Sequence, residues 1–315
     1  MIPKELEEII EKEGLRKETI EKIYEETKQT FGSMFPDDMS EDEKNEKILN
    51  MVKAKILRNT TIYKKPVEYD VLVVDATGIE KNKRGNEYTY GQAFAFVKVK
   101  DKWCPARINF YDKIAGYIET VEPMKMYKMG LVPKNLDGIC NFTGVEGEIP
   151  REVSFEGDIK QKIIELAKAH FKKSDLVKAR IEISAGIEDT NNISSHYNDL
   201  KIIEATIVRP SFGTNKETGD KYGSYNVTVD GMNIFNEASE DKPFRVFATY
   251  RQVRYQEPSM IYIIGRVSKY KKDVVINADA IIPIAAIPIQ KLGDDGGYSE
   301  SIPDLTTTTN DIEEY

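Results

Sequence analysis

From Val67 onward the apolar residues of this chain stop recurring at three-to-four spacing and begin to alternate, and the alternating runs come twice in the same order. Each pass reads strand, long loop rich in glycine and basic residues, strand, turn, strand, break, strand, hairpin, strand. In the first pass residues 69–75 (YDVLVVD) are dense in β-branched side chains, 78–91 form the loop, 93–99 alternate, and 103–111 follow a turn at 100–102. A short helix over 112–119 then precedes strands near 124–131 and 137–145. In the second pass the strands are 201–208, 224–229, 244–255, 260–270 and 274–284, with the long loop at 209–223. Identity between the halves is negligible, so the repeat lives in the pattern. The chain is therefore expected to be mainly β with α, with two five-stranded barrels in tandem.

The remaining segments have a different character. Residues 3–30 carry Leu6, Ile9, Ile10, Leu15, Ile20, Ile23 and Tyr24 mostly at helical spacing, and Gly32 to Pro36 breaks the run. A second helix over 40–57 begins with Ser40-Glu-Asp-Glu43, the signature of a capping box. Residues 158–173 are an amphipathic helix, apolar at Ile159, Ile163, Leu166 and Ala167, and are read as a connector. The expected domains are an acidic helical module at 1–60, a barrel at 67–150, a connecting helix and linker at 151–183, a second barrel at 184–290, and a disordered acidic tail at 291–315.

Charge follows these borders. The formal net charge is −8, which argues against a polyanionic partner if it is spread evenly. It is not: residues 1–60 carry −4, 61–66 carry +2, 67–290 sum to zero, and 291–315 carry −6. A neutral body can still present a basic face. No run approaches the roughly 18–20 apolar residues that span a bilayer, and the first twelve residues lack an apolar signal core. A cytoplasmic, nucleoid-associated protein with no membrane partner is expected.

Side chains suited to catalysis are scarce. The only soft metal ligands are Cys104, Cys140, His170 and His196, without metal-binding spacing, so neither a metal site nor another cofactor is expected. The motifs GxxxxGK[ST], HExxH and GxSxG are absent. Asp70, Asp75, Asp112 and Asp279 could in principle assemble a metal-dependent nuclease centre, but their contexts are strand ends and turns. The chain reads as a binder, not an enzyme.

Five short strands with a long first loop and a closing hairpin suggest the oligonucleotide/oligosaccharide-binding barrel. The run from Tyr69 through Lys81-Asn-Lys-Arg84, residues 94–99 and Ala106-Arg-Ile-Asn-Phe-Tyr-Asp112 resembles the archaeal replication protein A family, as does the acidic helical leader. The resemblance covers roughly 1–290 and lies in topology. It implies single-stranded DNA as partner. Many members of that family carry a zinc-binding insertion, which this chain cannot build.

A single strand bound without strict sequence preference needs cations along the phosphates and flat side chains for the bases. In the first barrel the candidates are Lys81, Lys83, Arg84 and Tyr88 in the loop, with Phe94, Phe96, Lys98, Trp103, Arg107 and Tyr111 on the strands. In the second they are Lys216 and Lys221 in the loop, Arg245, Phe247, Arg251 and Tyr255 on one face of 244–255, and Arg266 and Tyr270 on the next strand. A strand aromatic is more often core than platform, a reading to which Phe94 is particularly open. Arginine interleaved with aromatics on one face is harder to explain as core, because an unpartnered buried Arg is costly.

The tail ends in Asp311, Ile312, Glu313, Glu314 and Tyr315, an apolar residue and a terminal aromatic among carboxylates. It looks like the acidic tips with which bacterial single-strand DNA-binding proteins recruit replication and repair enzymes. The function expected is protection of single-stranded DNA in replication, recombination or repair, with recruitment through the tail. A protein-binding scaffold and an RNA-binding barrel protein are the alternatives.

Overall fold

The computed structural model describes residues 2–36, 38–58, 63–82, 88–184, 199–214, 221–229, 242–270 and 273–289. The chain divides into two compact units, Met1–His170 and Phe171–Tyr315. Among the sequence candidates, Lys83, Arg84, Lys216 and the tail residues Asp311 to Tyr315 lie outside the described residues.

The first unit opens with α1 (Lys4–Glu13), α2 (Lys17–Gly32) and α3 (Glu41–Arg58). The single helix expected over 3–30 is in fact two. Gly14 takes a left-handed φ of 62° and ends α1, a conformation that costs glycine no Cβ clash. Leu15 is then fully buried, and the corner is stitched to the chain entering the sheet: Arg16 N–H donates to the Tyr63 carbonyl at 2.8 Å and Lys65 N–H to the Gly14 carbonyl at 2.9 Å. The capping box forms as the sequence predicts, with Ser40 N–H donating to Glu43 Oε2 at 3.0 Å and Glu43 N–H to Ser40 Oγ at 3.3 Å. The Ser40 hydroxyl, which donates to Glu43 Oε2 at 2.9 Å, and then the Ser40 N–H hold the Glu43 carboxyl below its usual range. The helices share a core that includes Leu6, Ile10, Ile20, Ile48, Val52 and Ile56.

The sheet of this unit contains β1 (Val67–Ala76), β2 (Glu80–Asn82), β3 (Tyr88–Val99), β4 (Lys102–Tyr111), β5 (Lys125–Asn135), β6 (Cys140–Gly144) and β7 (Arg151–Val153). Five of these strands pair in the order β1-β3-β4-β6-β5, and β5 returns to β1, so the sheet closes into a barrel. The β4–β6 pair is parallel. Alternation along β3 sends Ala93, Ala95 and Val97 inward, onto Ala106, Ile108 and Phe110 of β4. The 3₁₀ helix Asp112–Thr120 puts Ile114 and Ile118 into the same core. It can approach because β3 offers Gly91, where a Cβ would stand 2.5 Å from Ile118 Cγ2.

The helix read as a connector, α4 (Ile159–His170), belongs to the first unit and packs on β1. Its Ile163 and Ala167 are fully buried. Its last residue reaches β4, where His170 Nε2 lies 3.0 Å from the Trp103 carbonyl oxygen.

The second unit contains β8 (Lys172–Lys173), α5 (Leu176–Ser184), β9 (Lys201–Thr214), β10 (Lys221–Thr228), β11 (Phe244–Thr249), β12 (Tyr255–Tyr270) and β13 (Asp273–Pro288). The order β10-β11-β13-β12-β9, with β9 also paired to β10, makes a ring. Its β11–β13 pair is parallel. Strand for strand this is the order of the first barrel. Ile203, Ile207, Tyr225, Phe244, Val246, Ile263 and Ile276 fill the inside. Two features differ from the sequence pattern. The long loop is shorter, since β9 runs to Thr214 and β10 starts at Lys221, and the 176–184 segment is helical.

Candidate nucleic-acid interface

Register decides which side chains share the outer face of the second ring. Residues directly opposite each other lie on the same face, so one row reads Arg209, Asn226, Arg245, Val275, Ser268 across β9, β10, β11, β13 and β12. The adjacent row reads Ser211, Ser224, Phe247, Asn277, Arg266. Inward residues on the same strands, such as Tyr225 and Val246, are in the core. Three arginines, one phenylalanine and two asparagines thus lie on the outside of the ring, with Arg209, Asn226, Arg245 and Phe247 on the neighbouring strands β9, β10 and β11. The Arg245 guanidinium carbon stands 4.9 Å from the centre of the Phe247 ring, and Asn277 Nδ2 donates to Ser268 Oγ at 2.8 Å. Arg209 and Arg245 are two strands apart, roughly 10 Å.

A third row continues the face with Gly213, Tyr222 and Thr249. Lys221 is in β10 and not in a loop, and its Nζ lies 5.2 Å from the centre of the Tyr250 ring.

On the first barrel the outer face of β3 and β4 pairs Tyr90 with Tyr111, Gln92 with Asn109, Phe94 with Arg107, and Lys98 with Trp103. Three half-buried tyrosines cluster at one end: Tyr88 lies 6.0 Å from Tyr90 and 5.8 Å from Tyr111 between ring centres. Lys134 Nζ lies 5.1 Å over Tyr111. Burial, and then the Glu80 carboxylate that accepts the Tyr90 hydroxyl at 3.1 Å, push the Tyr90 phenol up to about 12. Burial raises Tyr111 as well. Both rings are neutral at ordinary pH and place no negative charge against a phosphate. Next to them Gln92 Nε2 donates to Asn109 Oδ1 at 2.8 Å, which orients both amides.

Several sequence candidates are not where a base can reach them. Phe94 and Phe96 are 2% and 0% exposed. They do face away from the barrel core, as alternation requires, but that side is covered. The His170 ring at the end of α4 lies 5.8 Å from Phe96. The expected face of 244–255 also breaks in two. The strand ends at Thr249 and a 3₁₀ turn, Tyr250–Gln252, follows, so alternation does not carry Arg251 and Tyr255 onto the face of Arg245. The turn is fastened from the core: the buried Tyr225 hydroxyl accepts the N–H of Arg254 at 2.7 Å and of Tyr255 at 3.0 Å. Tyr255 packs against the core edge.

Of the others, Lys81 is exposed on β2, and Lys98 is ion-paired with Asp101 at 3.8 Å. Trp103 is half-buried beside α4. Arg266 is exposed and Tyr270 is the last residue of β12. Sequence reasoning missed Arg209, Asn226, Asn277 and Lys134. The sequence pattern puts Arg209 in a loop, and only the register of β9 against β10 lines it up with Arg245. Among the described residues no group of three or more His, Cys, Asp and Glu gathers closely enough to hold a metal ion, and no helix is long and apolar enough to cross a membrane.

No protein-family model matches the chain, and no curated protein matches it. Solved structures similar to it include single-stranded DNA-binding proteins, at low identity and low TM-score. A replication protein A heterotrimer bound to single-stranded DNA is 9% identical with a TM-score of 0.39, over 71% of this chain and 51% of that chain, so this chain spans about half of that one. The single-stranded DNA binding protein from Thermus aquaticus is 10% identical with a TM-score of 0.22, over 73% of this chain and 97% of that chain. A murine DNA binding protein bound with double-stranded DNA is 11% identical with a TM-score of 0.26, over 70% and 99%.

Proposed function

We propose that this chain is a non-enzymatic single-stranded DNA-binding protein built from two oligonucleotide/oligosaccharide-binding folds in tandem. The observation that carries the reading is the outer face of the second ring, where Arg209, Arg245 and Arg266 share two adjacent rows with Phe247. Cations two strands apart suit phosphates along one backbone, and a flat ring among them suits a base, at ~1–3 kcal/mol per stacked base. The tyrosines and oriented amides of the first barrel offer a second, less charged surface. Two modest sites on one chain reinforce each other through effective concentration. In this reading the protein acts in the cytoplasm at the nucleoid and protects exposed strands during replication, recombination or repair. Its acidic end, Asp311 to Tyr315, recruits proteins of those processes.

Fluorescence anisotropy of the full chain with labelled dT, rU and duplex oligonucleotides across a salt series tests it. Tight, length-dependent binding of dT that weakens with salt is expected. Preference for rU would move the reading to RNA, and no binding to any of the three at low salt would leave a protein-binding scaffold.

A further inference from the structure

We infer that Tyr222, lying on Gly213, is a second stacking platform for a nucleobase beside Phe247, an inference that rests on the reading above. Tyr222 is 48% exposed and stands outside the core of its ring, yet its position is defined. A Cβ at Gly213, directly opposite on β9, would lie 2.4 Å from both Cζ and the hydroxyl oxygen of Tyr222. The far end of the ring therefore rests on bare backbone. Any other residue at position 213 would lift it.

A ring whose far end is already seated loses little freedom when a base stacks on it, which is where preorganised sites gain affinity. Its neighbours fit the role. Thr249 is directly opposite Tyr222 on β11, and Phe247 is its diagonal neighbour, at roughly 7–8 Å for such pairs. Ser224, directly opposite Phe247 and two residues along β10 from Tyr222, is small and 3% exposed. Beyond Phe247 on the same strand comes Arg245, whose row holds Arg209. The face therefore grades from arginines in one row, through a mixed row, to a bare aromatic in the third. A single strand crossing the ring with its phosphates over Arg209 and Arg245 turns two bases toward Phe247 and Tyr222. Because every base has a π face, the platform accepts any of them.

The test uses the full chain and labelled dT oligonucleotides. Tyr222→Ala and Gly213→Ala should each weaken dT binding roughly tenfold, the second without removing any ring or charge, whereas Tyr222→Phe stays within about twofold. The dependence on salt should be unchanged in all three, since every cation that meets a phosphate is still in place. Emission from Tyr222→Trp, after subtraction of the wild-type Trp103 signal, should be quenched by dT. If wild-type protein binds dT tightly while Tyr222→Ala and Gly213→Ala bind equally well, or the new tryptophan does not respond, the platform is wrong and the DNA-binding reading survives. If wild-type protein fails to bind dT at low salt, both fall.

Discussion

The guanidinium carbon of Arg180 lies 3.7 Å from the centre of the Phe244 ring. Arg180 is 8% exposed and Phe244 1%, so a helix outside the ring is anchored to the first residue of β11. The same guanidinium donates from Nε to Asp273 Oδ1 at 3.0 Å and from a terminal nitrogen to the Lys242 carbonyl. Arg180→Ala removes a desolvated cation–π contact and one partner of a partly buried ion pair. A loss of about 2–4 kcal/mol in the stability of the second unit is expected. Arg180→Lys keeps the charge but neither the planar stack nor the fork, and should recover less than half of it. Chemical denaturation of the three proteins measures this.

The arginine row makes a quantitative claim about salt. For a single strand, every phosphate that a side chain ceases to neutralise lowers the slope of log K against log salt by about 0.7. Replacing Arg209 and Arg245 with alanine together should therefore flatten the slope by about 1.4 and weaken dT binding at least tenfold at low salt. A slope equal to that of wild type would show that neither side chain meets a phosphate.

Phe96 should behave in the opposite way. It is fully buried beside His170, and a buried Phe→Ala change costs about 3–5 kcal/mol. Phe96→Ala is expected to lower the denaturation midpoint of the first unit while the folded variant binds dT within twofold of wild type. A strong loss of affinity at unchanged stability would return Phe96 to the binding face.

Tyr90 gives the tyrosine cluster a pH signature. Its pKa is raised from 10.0 to about 12 in the folded protein, by burial first and by Glu80 second. The folded state therefore holds the phenolic proton more tightly than the unfolded chain does. That contribution is fully present below pH 10 and is lost as pH rises through about 12. Unfolding measured across this window should depend less steeply on pH in Tyr90→Phe than in wild type. Parallel curves would mean that the phenol is not shielded.

Much of this architecture is legible from period alone. Alternation at Ala93, Ala95 and Val97 identifies the inner face of β3, and Ser40 with Glu43 marks the start of α3, because both depend on near neighbours. What escapes depends on distant chain. Nothing at Phe96 announces that a helix some seventy residues later will lay His170 beside it. Arg251 and Tyr255 continue an alternating pattern, but the strand ends at Thr249 in a turn, and the hydroxyl of Tyr225 on another strand holds the chain that leaves it at Arg254 and Tyr255. The α5 segment, Leu176–Ser184, carries Val177, Ile181 and Ile183, β-branched residues that disfavour helix locally. Its contact with the ring through Arg180 prevails over that preference. Arg209 shows the same limit at the candidate site, since its face is set by register and not by spacing.

The row from Arg209 to Ser268 draws one side chain from each of the five strands of the second ring. Pairings such as Arg245 with Val275 join strands far apart in sequence, and closing such contacts is slow because chain entropy is lost before they form. No hairpin or fragment of this unit carries the whole row. In the proposed reading, a strand held across β9, β10 and β11 meets side chains that only the closed ring brings together, so its binding would raise the temperature at which that ring melts and slow its opening to proteases.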